Sequence, residues 1–155
     1  MIRVSTRGRY ALRGMVDLAR HAGEGPIPRQ EIADRQDISP DYVAQLFREL
    51  ADAGLVEGIK GPGGGYRLAR PTAAITARDV VEAVEGPIAL VDCVVRGEKP
   101  PCTRADGCVT RLLWARLSEA MTDILSAVTL ADLTERADEI EISTMDELAG
   151  EAIAG

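Results

Sequence analysis

The chain has 155 residues, of which 46% are apolar and only 3% are aromatic, so aliphatic side chains must build its core. Such a composition favours helices over a β-sandwich, and no apolar run approaches the roughly 20 residues of a membrane span. The first residues lack the apolar segment of a signal peptide, and three cysteines are an odd number for a disulfide framework. We therefore expect a cytoplasmic protein with no membrane partner, long enough for one compact domain and a dimerisation element.

Charge is divided unevenly along the chain. Residues 1–71 carry eleven Lys and Arg against nine Asp and Glu, whereas residues 72–155 carry seven against sixteen. Phosphate binding needs a local basic surface rather than a basic protein, so a net charge of −7 does not exclude a nucleic-acid partner. The N-terminal part is the candidate for such a surface.

Three helices are predicted in the first 53 residues. They run from a cap at Ser5 or Thr6 to about His21, over residues 28–36, and from Ser39 to about Ala53. Pro28 suits the first turn of the second helix, while Ser39 and Pro40 suit the N-cap and first position of the third. Two helices joined by so short a connection are typical of a helix-turn-helix. Their apolar residues supply a small core: Ile32, Ala33, Ile38, Val43, Leu46, Phe47 and Leu50.

A glycine-rich hairpin follows the third helix. Two short strands are predicted over residues 55–60 and 66–70, around a tip at 61–65 that contains four glycines. A tight turn that needs positive φ explains one or two of these glycines but not all four. Basic residues flank the tip: Lys60, Arg67 and Arg70. A bare tip between basic side chains can approach a groove or phosphates closely, so residues 1–71 are interpreted as a winged helix-turn-helix domain.

The N-terminal outer face of the third helix is the candidate reading surface, because this end enters the major groove in such motifs. The candidate contacts, with the start of the hairpin tip, are Ser39, Pro40, Tyr42, Ala44, Gln45, Arg48, Lys60 and Gly61. Gln45 can pair with adenine in bidentate fashion and Ala44 can contact a thymine methyl. Ser39 and Tyr42 can reach phosphates or base edges. The alternative is a small three-helix core whose polar residues are merely solvated.

The second half of the chain is predicted to contain a sensor loop and a dimerisation helix. Thr76 to Asp79 form a capping box for a short helix through Val84, which Gly86 and Pro87 end. Residues 72–107 thus comprise this helix and an irregular loop. Residues 108–137 comprise a long helix to about Val128 and a following short helix, and 138–155 are expected to form an acidic, flexible tail. An apolar stripe suited to a partner helix marks the long helix: Val109, Leu113, Leu117, Ala120, Ile124 and Val128.

Three stretches of the N-terminal domain resemble a known family. They are Ser5-Thr6-Arg7-Gly8-Arg9-Tyr10-Ala11, residues 38–47 and Gly61-Pro62-Gly63-Gly64-Gly65-Tyr66. Together they closely resemble the IscR-type iron–sulfur cluster regulators, and the likeness extends from residue 3 to about 133. It implies a homodimeric winged-helix repressor or activator with a cluster-binding loop before the dimer helix. It also implies DNA contacts at Ser39, Tyr42, Gln45, Lys60 and Gly61. The family carries an acidic residue where this chain has Ala44, so its target sequence cannot be transferred.

Cys93, Cys102 and Cys108 follow the spacing C-x8-C-x5-C, which is poor for structural zinc because zinc ribbons use much closer pairs. On spacing alone, unremarkable free thiols remain the alternative. The first two lie in a polar segment rich in Gly, Pro, Arg and Lys, which is a poor place to bury thiols but can wrap an anionic cluster. The resemblance adds that the three cysteines ligate an iron–sulfur cluster, with 2Fe–2S favoured and 4Fe–4S as the other form.

The fourth ligand of such a cluster is unknown. IscR-type proteins place a histidine where this chain has Arg111, and nitric-oxide-sensing relatives of the NsrR type use a carboxylate of the first helix that is missing here. His21, the only histidine, is better explained as a solvated helix-end residue. Candidates from the loop region, besides an exogenous small molecule, are Asp92, Glu98, Asp106 and Arg111 itself.

These features predict a transcriptional regulator, with repression as the expected mode, that binds a pseudo-palindromic DNA operator as a homodimer. Its cysteine loop is expected to sense iron–sulfur status, oxidants or nitric oxide. The alternative is a cluster-free winged-helix regulator that responds to a metabolite or a partner enzyme. An enzyme is not expected, because one histidine and the lack of a catalytic constellation leave little acid–base chemistry.

Overall fold

The computed structural model describes residues 4–23, 25–95 and 102–141, which form a mainly helical protein with a two-stranded antiparallel sheet. Its helices and strands are α1 (Thr6–Arg20), α2 (Arg29–Gln36), α3 (Pro40–Asp52), β1 (Val56–Ile59), β2 (Gly65–Leu68), α4 (Ala77–Glu85), α5 (Val109–Ala127) and α6 (130–141). The predicted fold class, a winged helix-turn-helix followed by a long helix, is confirmed. Within the described ranges, no helix has the length and apolarity needed to cross a membrane.

The predicted caps fix where the helices begin. The Ser5 hydroxyl accepts from the Gly8 N–H at 3.2 Å, and the Ser39 hydroxyl accepts from the Tyr42 N–H at 3.1 Å. Thr76 forms the complete capping box that its sequence predicts. One detail differs, since Pro28 is the N-cap of α2 rather than a residue of its first turn. Pro cannot donate an N–H, so both positions suit it.

The core lies where α1, α2 and α3 meet. The Phe47 ring is 1% exposed, and Gly14 of α1 lies against it so closely that a Cβ would sit 3.0 Å from the ring. The aliphatic core predicted from the sequence is confirmed, with Ile38 at its half-buried edge. The turn between α2 and α3 holds Asp37 at φ 54°, a left-handed conformation that Asp tolerates better than most residues.

A buried carboxylate also joins α1 to α2. The Asp17 side chain is 3% exposed and accepts from Arg35 Nε at 2.9 Å and from Gln36 Nε2 at 3.0 Å. This hydrogen bonding is the main reason why the pKa of Arg35 is raised. Charges so deeply buried must be paired, so these contacts fix the angle between the two helices.

The hairpin is shorter than predicted, and its glycines have structural causes that the sequence analysis missed. Strands β1 and β2 pair from Val56 with Leu68 to Ile59 with Gly65, and Ile27 bridges to Tyr66. As predicted, the positive φ of a tight turn does not account for all four glycines. Two of the glycines, 61 and 63, have φ values of 92° and 73°. At the other two, 64 and 65, a Cβ would fall on the backbone carbonyls of residues 59 and 27.

The C-terminal helices are tied to α4. The Ala77 N–H donates to the Val128 carbonyl, and the Leu130 N–H donates to the Ile75 carbonyl, both at 2.8 Å. Helix α6 then continues through residue 141, where Asp138 and Glu141 pair with Arg20 of α1. Residues 138–141, where the sequence analysis expected a flexible tail to begin, thus lie in the last turn of α6. The rest of that tail lies outside the described residues.

Candidate nucleic-acid interface and cysteine loop

Helix α3 presents one face free of large apolar side chains. Asp41, Ala44, Gln45 and Arg48 recur at positions i, i+3, i+4 and i+7, and all but the half-buried Ala44 are exposed. Ser39 lies at the same end of the helix and is exposed, while Pro40 is half-buried. The opposite face of α3 is in the core, so this face can meet a partner without unpacking the domain.

Tyr42 is less available than the sequence suggested. It is half-buried, and its ring meets the Tyr10 ring of α1 edge-on, with centroids 6.1 Å apart and planes at 83°. The Arg13 guanidinium in turn lies 5.0 Å from the Tyr10 ring centre. Tyr42 therefore helps to hold α3 on α1, and only its outer edge can contact a partner.

Of the three basic residues predicted to flank the hairpin tip, two have structural roles. Arg67 pairs with Glu57 across the strands at 2.7 Å. Arg70 donates from Nε to the Gly54 carbonyl at 3.1 Å, which closes the end of α3. Lys60 is exposed and forms no ion pair within the described part of the chain. It is the flanking side chain best placed to bind an external anion.

A groove that the sequence analysis did not identify lies between the hairpin and the start of α2. It measures about 590 Å³ and is lined by Arg29, Gly58, Ile59, Lys60, Gly61, Gly64, Gly65 and Tyr66. Burial raises the pKa of Tyr66, whereas the nearby charges of Arg29 and Arg48 act to lower it. Arg29 thus belongs to the same charged surface as α3 and the hairpin. The sequence around Arg29 did not predict this position, because Arg29 reaches the hairpin through the long-range bridge between Ile27 and Tyr66.

The three cysteines lie in the turns that precede α5 and at its N-cap. Cys93 is half-buried in a short 3-10 turn, Cys102 is exposed, and Cys108 is the half-buried N-cap of α5. Within the described ranges, no three His, Cys, Asp or Glu side chains converge as a metal site would require. Residues 96–101, between the first two cysteines, include the candidate ligand Glu98 and lie outside the described residues.

Arg111 links two parts of this loop. Its Nε donates to the Cys93 carbonyl at 2.9 Å, and its backbone N–H donates to the Cys108 carbonyl at 3.2 Å. The Cys108 thiol lies 3.2 Å from the Thr110 hydroxyl, and hydrogen bonds from Thr110 and the Arg111 backbone lower its pKa. The start of α5 therefore favours a thiolate, which is the form that binds metals.

Other candidates for a fourth ligand differ in how available they are. Arg111 already donates from Nε, and a protonated guanidinium offers no lone pair, so it is a poor ligand. His21 caps the end of α1 with Nδ1 2.8 Å from the Asp17 carbonyl, in keeping with a structural helix-end residue. Asp92 and Asp106 are both exposed in the turns that carry Cys93 and precede Cys108.

The large apolar side chains of helix α5 lie on an exposed face. Its large exposed apolar residues are Val109, Leu112, Leu113, Leu117, Met121 and Ile124. The inward face is small and polar, where Ser118 and Thr122 are buried and donate to carbonyls four residues earlier. Ser118 also accepts from the Leu90 N–H at 3.0 Å. Among the described residues, the stripe therefore takes no part in the core.

Two contacts made by charged side chains connect α4 to α3 through α1. Glu85, the last residue of α4, accepts from the Gly8 N–H at 2.9 Å and from the Ser5 hydroxyl. Arg7, the residue before Gly8, forms an ion pair with Glu49 of α3. The loop that leads to Cys93 begins directly after Glu85, so the cysteine loop and α3 are joined by a short series of packed elements.

Comparison with known proteins agrees with this arrangement. Residues 4–136 match the Rrf2 family model, described as an iron-dependent transcriptional regulator. The chain is 38% identical over 147 residues to the HTH-type transcriptional regulator IscR of Vibrio cholerae, covering 95% of this chain and 83% of that one.

Solved structures give the same likeness. The structure of T. potens IscR is 34% identical, with a TM-score of 0.72 and 90% of each chain covered. CymR, described as the global cysteine regulator of B. subtilis, is 40% identical, with a TM-score of 0.70, covering 88% of this chain and 98% of that one. These relatives are named as regulators, a non-enzymatic role.

Proposed function

The chain belongs to the Rrf2 family of DNA-binding transcriptional regulators, and on this basis we propose that it represses transcription as a homodimer controlled by its cysteine loop. The exposed face of α3 carries the proposal, because a polar face suits a duplex when it lies beside a lysine that has no ion pair among the described residues. Gln45 and Ala44 read bases in the major groove, and Ser39 uses its free hydroxyl proton on a phosphate or base edge. Arg48, Lys60 and the Gly61 backbone hold the duplex, with Pro40 and Tyr42 at the edge of the contact.

The homodimer forms through α5. Its six large apolar residues would otherwise remain in water, and a helix face of this kind is rarely left exposed in a soluble protein. A symmetric pair of α5 helices buries both stripes and places two α3 helices for the two halves of a pseudo-palindromic operator.

An iron–sulfur cluster is the ligand proposed for Cys93, Cys102 and Cys108. The donor set suits it, because none of the three cysteines is in a disulfide, Arg111 joins the backbone carbonyls of Cys93 and Cys108, and the Cys108 thiol has a lowered pKa. When bound, the cluster supplies redox chemistry that responds to oxidants, nitric oxide or iron–sulfur supply. A fourth ligand other than cysteine, such as Asp92, Asp106 or a small molecule, leaves one position exchangeable. We favour a 2Fe–2S form.

The protein's own contacts pass a change at the cysteines to the DNA-binding face. Residues 88–95 hold α5 through the Leu90–Ser118 and Cys93–Arg111 hydrogen bonds. On their other side they continue from Glu85, which caps α1. A rearrangement of this segment therefore shifts α5 and α1 together, and the Arg7–Glu49 pair extends the shift to α3.

A cluster-free regulator is the second candidate, and one observation favours it. The 40% identical CymR is described as a cysteine regulator, and no three ligands converge within the described residues. In that case the loop of 88–95 and 102–108 responds to a sulfur metabolite or to a partner enzyme.

Anaerobic purification separates the two candidates. The cluster predicts coloured protein with visible charge-transfer absorption and matching amounts of iron and acid-labile sulfide. Replacing Cys93, Cys102 or Cys108 singly by Ala should abolish the colour, whereas His21→Ala should keep it. Colourless, iron-free protein after attempted reconstitution would reject the cluster and favour the metabolite-responsive regulator.

A further inference from the structure

The groove between the hairpin and α2 has basic side chains and glycine backbone in its lining. Much of its lining is glycine backbone, so it is open to close approach, and its width is fixed by the Ile27–Tyr66 bridge. Both hydrogen bonds of this bridge are 2.8 Å long. The groove is therefore a rigid feature of the domain rather than a gap between mobile side chains.

Positive charge lies on both sides of the groove. Lys60 comes from the hairpin and Arg29 from the first turn of α2, and Arg48 of α3 is close enough to affect Tyr66 electrostatically. Within the described residues, the ion-pair partner of Arg29 is Asp41. A guanidinium nitrogen of Arg29 lies 4.0 Å from the Asp41 carboxylate, and the Asp41 side chain is 97% exposed. A surface pair of that length contributes little, so Arg29 can exchange Asp41 for a stronger anion at small cost.

We propose that this groove binds the sugar-phosphate backbone of the operator and that Arg29 makes the phosphate contact. The inference rests on the proposed function, because the groove continues the surface formed by α3 and the hairpin. If Gln45 contacts the bases of a duplex and Lys60 contacts its phosphates, the sugar-phosphate backbone must pass close to the groove and to Arg29. An arginine fork suits a phosphate geometrically, and such a contact positions the duplex without reading its sequence.

Asp41 then acts as a competitor for Arg29. In free protein it neutralises part of the arginine charge, and on binding it must release Arg29 to the phosphate. Asp41→Asn should therefore strengthen binding to every duplex, because it removes the competitor and one repulsion of phosphate.

The test measures the salt dependence of binding by fluorescence anisotropy. The probes are a labelled random-sequence 30-base-pair duplex and an operator duplex selected by the wild-type protein from genomic fragments. Arg29→Ala should weaken both complexes by the same factor and flatten the plot of log K against log salt by about 0.9 for each protomer. Arg29→Lys should keep the wild-type slope, because it retains the charge. A thermal unfolding curve for each variant excludes loss of the fold.

Arg67→Ala is the matched control, since Arg67 lies next to Tyr66 on the other face of β2 and is paired with Glu57. It should leave the slope unchanged. If Arg29→Ala binds both duplexes like wild type, the groove does not hold the backbone, although the proposed function stands. If only the selected duplex is weakened at unchanged slope, Arg29 reads a base and the phosphate assignment is wrong. Failure of wild-type protein to bind any duplex at low salt would overturn the proposed function and this inference together.

Discussion

In the proposed function, base recognition depends most on Gln45, because this residue is exposed in the middle of the polar face of α3. A bidentate amide contact to adenine contributes about 1–3 kcal/mol of discrimination. Gln45→Ala should therefore reduce operator affinity by that amount and relax selectivity at one base position in each half-site. Competition binding against half-site variants measures both effects.

Lys60→Ala provides the contrast to Gln45→Ala. Loss of a phosphate contact should weaken binding to all sequences by one factor and flatten the salt dependence, without changing base preference. Two variants that both bind operator fragments like wild type would show that α3 and the hairpin are not the DNA-binding surface.

Cys108 should form its thiolate at a lower pH than an ordinary cysteine, because Thr110 and the Arg111 backbone stabilise the charged sulfur. In iron-free protein with the other two cysteines replaced by Ser, the rate of alkylation should rise with pH around a lowered midpoint. Thr110→Val removes the largest stabilising hydrogen bond and should move that midpoint upward. An unchanged midpoint in the Thr110 variant would show that the Thr110 hydroxyl does not cause the lowered pKa of Cys108.

At the scale of elements, α5 is the helix proposed to form the dimer. Leu117→Lys with Ile124→Lys places two charges in the apolar stripe and should yield monomers by light scattering, with loss of tight operator binding. Ala115→Lys is the matched control, because residue 115 is exposed on α5 but lies off the stripe. A double variant that remains dimeric would place the interface on another element.

The contact between α4 and α1 depends on Glu85, which caps α1 through the Gly8 N–H and the Ser5 hydroxyl. Glu85→Ala should lower the free energy of unfolding by about 1 kcal/mol and reduce the influence of the cysteine loop on DNA affinity. Glu82→Ala removes a half-buried i, i+4 pair with Arg78 within the same helix and should have a smaller effect. Denaturant unfolding and operator titration measure the two effects. If the two variants had the same unfolding free energy and the same operator affinity, Glu85 would have no role in coupling the cysteine loop to DNA binding.

For the whole molecule, the sequence predicted those features that depend on residues close together in the chain. Caps such as Ser39 and Thr76 and the spacing of apolar residues determine helices within a few residues, and these predictions are confirmed. Contacts between distant segments could not be read in this way. Asp17 meets Arg35 and Arg29 joins the hairpin only once the chain is folded.

The hairpin glycines show the same limit, because carbonyls of neighbouring segments exclude a Cβ at residues 64 and 65. At residue 138 the acidic composition suggested the start of a flexible tail, whereas the structure continues α6 to residue 141. In the structure, Asp138 and Glu141 pair with Arg20, and no pattern within residues 130–141 signals a partner on α1.

The central claim is that one molecule joins a DNA-reading surface to a cysteine sensor. The most direct measurement is the operator Kd of anaerobically prepared protein, determined before and after its iron is removed, with Cys108→Ala as the control. Coupling of about 1–3 kcal/mol predicts a change of roughly 5- to 150-fold on iron removal and none in the cysteine variant. Tight operator binding with the same Kd in every preparation would contradict the claim.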